Sequence, residues 1–206
     1  MFDVISVDPI LADSVESELH SIKINWEYSS VTTDFYSLQN TSDKERNIID
    51  TLTSKYGPVA DTQKFSESLY NDSKHKQPFI TVRKNPDSRY NRVFKSTSKL
   101  VDNLQQKYIP ATHKVSRIIC NMQTLRPTWT MNAIHPDSRN PDNITILYYV
   151  NNSDGDTFFF RGTECEHRQT PTKGTAVIYP SIMLHAGSTP TKTETRVVIN
   201  MMFTPK

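Results

Sequence analysis

Glycine is scarce, with 5 residues in a chain of 206. That excludes a collagen-like repeat and a flexible glycine-rich chain, and no internal repeat is visible. Cysteine is scarcer still. Cys120 and Cys165 can build neither a disulfide framework nor a cysteine-rich zinc site. No stretch comes near the roughly 18 consecutive apolar residues of a membrane-spanning helix. Asp3, Asp8 and Asp13 precede any lysine or arginine, so no secretory leader is expected. The expectation is a cytoplasmic, reduced protein without membrane contact, in which a sequon such as Asn143-Ile144-Thr145 stays silent. An excess of either charge is also missing. With 24 Lys+Arg against 22 Asp+Glu, the balance fits neither a nucleic-acid coat nor an acidic tail protein.

Aromatic residues are plentiful: 9 Phe, 9 Tyr and 2 Trp. A chain of this length with that content can bury a core, so global disorder is excluded. One domain spanning 1–206 is expected. Residues 1–110 are polar and lean towards helix, with apolar residues at helical spacing near 14–19, 45–52 and 98–104. Pro110 ends the last of these helices. From Ser116 the pattern changes to short β-branched and aromatic runs separated by turns. Strands are expected near 116–123, 128–135, 144–150, 157–160, 164–169, 175–179, 182–186 and 196–203. Eight short strands in that span predict a jelly-roll core over 116–203, with the helical half covering one outer face.

One charge feature survives averaging. Between Lys74 and Lys99 stand eight basic residues and one acid, Asp87. Such a run is a solvated loop, or it meets an acidic substrate or the phosphates of a nucleic acid. Within it, Asn85-Pro86-Asp87-Ser88 signals a turn ahead of the basic and aromatic run Arg89 to Phe94. The segment 84–98 is expected to form a lid over a pocket mouth, with Arg89 and Arg92 reaching a polar group on the substrate.

The chemistry-bearing constellation begins at His135-Pro136-Asp137. Side chains at i and i+2 of an extended segment share a face, so one imidazole and one carboxylate can meet a single ion. His185 lies in a second strand-like run, Ile182 to Gly187. Two histidines and a carboxylate on one face of a metal suit a non-haem Fe(II) centre with open positions, and the same set also holds catalytic zinc. Arg196 opens the final strand. A buried, permanently charged fork there requires an anionic partner, and the far carboxylate of a dicarboxylate cosubstrate is one.

The order H-x-D, distal His, then Arg resembles the Fe(II)/2-oxoglutarate dioxygenases, in particular their prolyl-hydroxylase-like branch, as found in small bacterial and phage oxygenases. Ile146-Leu147-Tyr148-Tyr149-Val150-Asn151 is similar to the I-Y-Y-L-N strand of hypoxia-sensing prolyl hydroxylases. Asp154-Gly155-Asp156-Thr157-Phe158-Phe159 resembles G-G-E-T-x-F of prolyl 4-hydroxylases. Gly174 to Pro180 resembles G-x-x-x-x-F-P, and Leu184-His185-Ala186-Gly187 matches L-H-x-G. The resemblance implies a double-stranded β-helix that binds Fe(II), 2-oxoglutarate and O2. It implies His135, Asp137 and His185 as metal ligands, and Arg196, Tyr149, Thr157 and Asn200 in the cosubstrate pocket. It also implies a hydroxylase acting on a peptide or protein, most closely a peptidyl proline. A nucleobase or nucleotide hydroxylase and a non-catalytic jelly-roll binding module are the alternatives.

The sequence also departs from the pattern. Asp154 replaces the first glycine of G-G-E-T, which weakens the match to that turn. The tyrosine expected before H-x-D has no clear counterpart; Asn121, Gln123 and Asn132 are the available polar groups. The second arginine of the demethylase branch, six residues after the first, is Met202 here. Strand alternation places Arg196, Val198, Asn200 and Met202 on one face, with Val197, Ile199, Met201 and Phe203 towards the helices. Tyr148 has the propensity of a core aromatic, and Trp129 suits a core or a pocket wall. Cys165-Glu166-His167 reads as a solvent-facing connection, and His20, His75 and His113 as surface residues.

Overall fold

A computed structural model of the chain describes residues 2–21, 27–29, 41–57, 64–71 and 95–206. The basic segment from Lys74 to Arg92, most of the expected lid and His75 lie outside the described residues. Lys95 and Lys99 are exposed on a helix.

Among the described residues, ten strands and three helices follow in the order β1 (Asp3–Ser6), α1 (Pro9–Ser21), β2 (Glu27–Ser29), α2 (Asp43–Tyr56), β3 (Lys64–Asn71), α3 (Lys95–Tyr108), β4 (His113–Thr124), β5 (Ile144–Tyr149), β6 (Thr157–Arg161), β7 (Glu164–Gln169), β8 (Thr175–Pro180), β9 (Leu184–Gly187) and β10 (Thr195–Pro205). The seven-stranded major sheet runs β1-β8-β5-β10-β4-β3-β2, and the minor sheet runs β7-β6-β9. The pairings along both are antiparallel, the jelly-roll arrangement. No helix among the described residues is long and apolar enough to cross a membrane.

Local chemistry starts the helices. Asp8 accepts from the Leu11 N–H at 3.0 Å, and Pro9 takes the first helical position, where a missing N–H costs nothing. Ser42 caps α2 through the Glu45 N–H at 3.3 Å. The start of α3 is capped from elsewhere: Glu18 of α1 accepts from the Ser96 and Thr97 N–H groups at 3.0 and 2.9 Å. A carboxylate at a helix N-terminus meets the positive end of its dipole.

Val15 and Leu19 of α1 and Leu100, Val101 and Leu104 of α3 pack on the outer face of the major sheet. There they meet Ile146, Tyr148, Val197, Ile199, Met201 and Phe203. Tyr148 is thus a core residue. The N-terminal half does more than cover that face. It supplies β1 to one edge of the major sheet and β2 and β3 to the other, while Leu52 of α2 packs with Met131, Ile134, Phe160 and Ala186 at the minor sheet. Short strands of mixed pattern are recruited by an available sheet edge, a non-local cause that propensity cannot register.

The stretch expected as a strand at 128–135 pairs at only two isolated points, Met131 with Ser188 and His135 with His185. It runs beside β9, tied by Asn132 N–H to Gly187 O at 2.8 Å. On β4, a bulge sits opposite Met202 and Phe203, which pair with Arg117 and Val115 and skip Ser116. The extra residue shifts the alternation, so Val115 and Ile118 face the helices while Arg117 faces the space between the sheets.

Candidate metal and anion site

His135, Asp137 and His185 converge between the sheets, their ligating atoms all within 4.8 Å of one another. Pro136 biases His135 to extended backbone, and the bridge to His185 is closed by reciprocal N–H to C=O bonds of 3.1 and 3.0 Å. Each imidazole Nδ1 faces a backbone carbonyl: Ala133 O at 2.8 Å from His135, and Met183 O at 3.1 Å from His185. A carbonyl only accepts, so Nδ1 carries the proton and each Nε2 is the nitrogen that bears the lone pair. Both rings are therefore in the tautomer that binds a metal. His185 Nε2 stands 3.7 Å from Asp137 Oδ2.

Three donors hold Asp137. Arg117 Nη2 donates to Oδ1 at 3.2 Å, the Tyr179 hydroxyl to Oδ2 at 2.8 Å, and Asn200 Nδ2 to both oxygens at 3.0 and 3.1 Å. Burial would raise this carboxyl. His185, Arg117, His135 and the Tyr179 hydrogen bond outweigh it and hold the group well below the usual carboxylate range. Tyr179 moves the other way. Burial and the adjacent carboxylate push its phenol far above its ordinary value, so it remains a donor at neutral pH.

Arg196 defines the far end of the space. Its side chain is buried, with Nε donating to Gly155 O at 2.7 Å, Nη2 to Thr157 Oγ1 at 2.7 Å and Nη1 to Gln123 Oε1 at 3.4 Å. Every one of these acceptors is neutral. Burial lowers the pKa of the guanidinium, though an arginine stays charged. The Tyr149 hydroxyl donates to the same Thr157 oxygen at 2.9 Å. Burial pushes the Tyr149 phenol up to about 12, against the pull of Arg196 and Thr157.

The surrounding motif residues explain why the fork sits there. A Cβ at Gly187 would lie 3.2 Å from Arg196 Cζ, and one at Gly155 would lie 2.8 Å from its Cδ. Two glycines thus leave the volume that the guanidinium fills. Asn151 straddles it, accepting from Val197 N–H at 2.8 Å and donating to Thr195 O at 2.9 Å. Asp154 stands where the motif has its first glycine and has a binding role of its own. Its carboxylate accepts from the backbone N–H groups of Thr191, Lys192 and Thr193 and from both threonine hydroxyls, fastening the loop that feeds β10.

His135, Asp137 and His185 are brought together, and so are Arg196, Tyr149 and Thr157. Asn200, expected at the cosubstrate, instead reaches Asp137. Among the three polar groups weighed before H-x-D, Gln123 touches Arg196 and also donates to Asn132 at 3.0 Å. Asn121 keeps a buried Oδ1 without a partner. Sequence reasoning missed Arg117 and Tyr179. Tyr179 occupies the aromatic position of G-x-x-x-x-F-P, where a tyrosine in place of phenylalanine was the available signal. Arg117 pairs in register with Met202, so a guanidinium does reach this region, from the neighbouring strand. Trp129 packs edge-on to Phe158 at the minor sheet. Cys165 to His167 belongs to β7, an edge strand rather than a connection.

No protein-family model and no curated protein matches the chain. Solved structures match along almost all of it. AviO1 from Streptomyces viridochromogenes Tue57 is 8% identical, with 98% of this chain and 89% of that one covered at a TM-score of 0.52. The viral collagen prolyl hydroxylase of Paramecium Bursaria Chlorella virus-1, in its 2-oxoglutarate complex, is 12% identical over 100% and 96% of the two chains at 0.49. An oxidoreductase of the 2OG-Fe(II) oxygenase family from Burkholderia pseudomallei is 11% identical over 97% and 93% at 0.49. The likeness to these structures is one of fold. The His-Asp-His group and the buried guanidinium, whose hydrogen-bond acceptors among the described residues are neutral, fit Fe(II), 2-oxoglutarate and O2.

Proposed function

We propose that the chain is an Fe(II)- and 2-oxoglutarate-dependent dioxygenase that hydroxylates a substrate C–H, with a peptidyl proline as the preferred substrate. The observation that carries this reading is Arg196, a guanidinium only 5% exposed whose hydrogen-bond acceptors are neutral and which lies in the same inter-sheet space as His135, Asp137 and His185. A buried cation without a counter-charge is costly, and a zinc hydrolase has no need of one. A dicarboxylate that spans from metal to fork removes the cost.

In this reading His135 Nε2, Asp137 and His185 Nε2 hold the metal. Arg196 and the Thr157 hydroxyl grip the far carboxylate, and the Tyr149 hydroxyl holds Thr157 in place by donating to it. Thr157 accepts from both neighbours, so its own proton is free to donate to an oxygen of the cosubstrate. An Fe(II) held by these ligands supplies the redox chemistry that reduces O2 while 2-oxoglutarate becomes succinate and carbon dioxide and a substrate C–H becomes C–OH. Arg117, Tyr179 and Asn200 keep the Asp137 carboxylate ionised and in one orientation. Leu147, Val177 and Val198 line the interior beside them and help exclude water.

The proline reading rests on the resemblance of the strands over 146–151, 154–159 and 174–180. Thermal melts test the cofactor class first: Mn(II) and 2-oxoglutarate together should raise the melting temperature, by mass action on the folded state. Succinate formation in the presence of Fe(II) should vanish in Asp137→Ala, and undiminished turnover there would refute the reading. Mass spectrometry of proline-containing peptides and of oligonucleotides after turnover then separates proline from base hydroxylation.

A further inference from the structure

Guanidinium groups stand at two heights on the inner face of the major sheet, and the reading above uses only one of them for a ligand. Along the β4–β10 ladder, Arg196 is level with Gln123, Asn200 with Ile119, and Met202 with Arg117. Asn200 reaches Asp137, so the order is cosubstrate anchor, metal carboxylate, Arg117. Four residues, or about 14 Å, separate the first two levels, and two residues, about 7 Å, the last two. A cosubstrate stretched from the metal to Arg196 occupies one end of this ladder. The end left to the substrate is the one that Arg117 holds.

Arg117 is only partly engaged there. Nη2 alone is used, towards Asp137 Oδ1 at 3.2 Å and Asn200 Oδ1 at 3.4 Å. Its Nε is buried without an acceptor, while 25% of the side chain remains accessible. Buried donors are seldom left unpaired. Charge points the same way. A divalent metal and a dicarboxylate cancel, the histidines are neutral, and Asp156 is paired with Arg168. Among the described residues, Arg196 and Arg117 then face Asp137, which leaves one positive charge. Half-buried Met202 and Ile119 flank it on the two strands.

We infer that Arg117 determines substrate choice: the free edge of its guanidinium takes an oxygen acceptor, a carbonyl or a carboxylate, next to the carbon that is oxidised. A planar fork of fixed N–H groups suits such an oxygen. The inference rests on the metal and 2-oxoglutarate reading and names the substrate side of that site. A peptide carbonyl and a free carboxylate share the chemistry, and two probes separate them.

The test uses the full chain with Co(II) and saturating 2-oxoglutarate, titrated with N-methylacetamide and with acetate while the Co(II) absorption is followed. At least one probe should perturb the spectrum saturably. In Arg117→Gln that response should weaken roughly ten- to hundredfold, the loss of a charge-assisted hydrogen bond. Arg117→Lys should keep part of the acetate response, because a point charge remains. N-methylacetamide as the stronger probe identifies a peptide-like substrate, and acetate an acidic one. A wild-type protein that binds Co(II) and 2-oxoglutarate but answers neither probe overturns the inference alone. An unchanged response in Arg117→Gln does the same, as does loss of Co(II) from both variants, which would confine Arg117 to holding Asp137. A wild-type protein that binds no Co(II) refutes the underlying reading instead.

Discussion

The Thr157 hydroxyl accepts a hydrogen bond from Arg196 Nη2 at 2.7 Å and a second from Tyr149 at 2.9 Å. One small side chain therefore orients both groups that face the far end of the pocket. Thr157→Val keeps the shape and removes the acceptor. Two buried donors are then left unsatisfied, at about 1–3 kcal/mol each. The expected result is a lower melting temperature and a raised 2-oxoglutarate requirement, with Mn(II) affinity unchanged. Equal cosubstrate affinity in calorimetry would exclude this role for Thr157.

Arg196→Ala removes the charge itself. Breaking a buried charged pair costs on the order of 3–5 kcal/mol, roughly a hundredfold or more in affinity. The 2-oxoglutarate concentration for half-maximal succinate formation should rise accordingly, while Mn(II) binding persists because none of the three candidate ligands is touched. An unaltered half-saturation point would show that the anchor lies elsewhere.

The two glycines against Arg196 should separate function from folding. At Gly187 a Cβ meets the mobile end of the guanidinium at 3.2 to 3.3 Å, so Gly187→Ala should weaken 2-oxoglutarate binding with little loss of stability. At Gly155 the new atom would lie 2.6 Å from the Ser188 carbonyl oxygen, which cannot move cheaply. Gly155→Ala should cost about 1–3 kcal/mol of stability as well. Denaturant unfolding beside cosubstrate titration checks the contrast, and equal stability losses would contradict it.

Asp154 predicts a pH dependence. Burial acts to raise its carboxyl, but hydrogen bonds from Thr191 and Thr193 prevail and depress it below 3.8. A depressed folded-state pKa gives stability that is complete above the unfolded value and is lost as pH falls through the folded one. Melting temperature should therefore hold from neutrality down to about pH 5 and fall through the acid range below about pH 4. Asp154→Asn should melt lower near neutrality and show a shallower acid decline. Parallel acid profiles for the two proteins would rule Asp154 out as a contributor.

Much of the site was legible in the sequence because it is local. His135 and Asp137 flank a proline that favours extended backbone, so the i, i+2 rule sufficed to put them on one face. Period-two alternation likewise sorted β10, with Arg196 and Asn200 inward and Val197, Ile199 and Phe203 towards the helices. The same rule misread 128–135, whose alternation is real but whose hydrogen bonds reach β9 at only a few points. Its partners, like those of β1, β2 and β3, are set by which sheet edges lie open, and no local pattern records that.

The chain order of H-x-D, His185 and Arg196, together with the strand motifs between them, was enough to indicate the jelly roll and to single out the side chains that converge between its sheets. Tertiary structure decided what holds them. Asp154 reads as a departure from a glycine motif until Thr191 to Thr193 fold back onto its carboxylate. Tyr179 reads as a strand aromatic until β8 aims its hydroxyl at Asp137. Arg117 follows Gln123, Asn121 and Ile119 onto the inner face by plain alternation, while the bulge at Ser116 turns Val115 towards the helices. What brings it to Asp137 is the fold: the contact joins residues 20 positions apart, and no local spacing rule records which strand end will meet which loop.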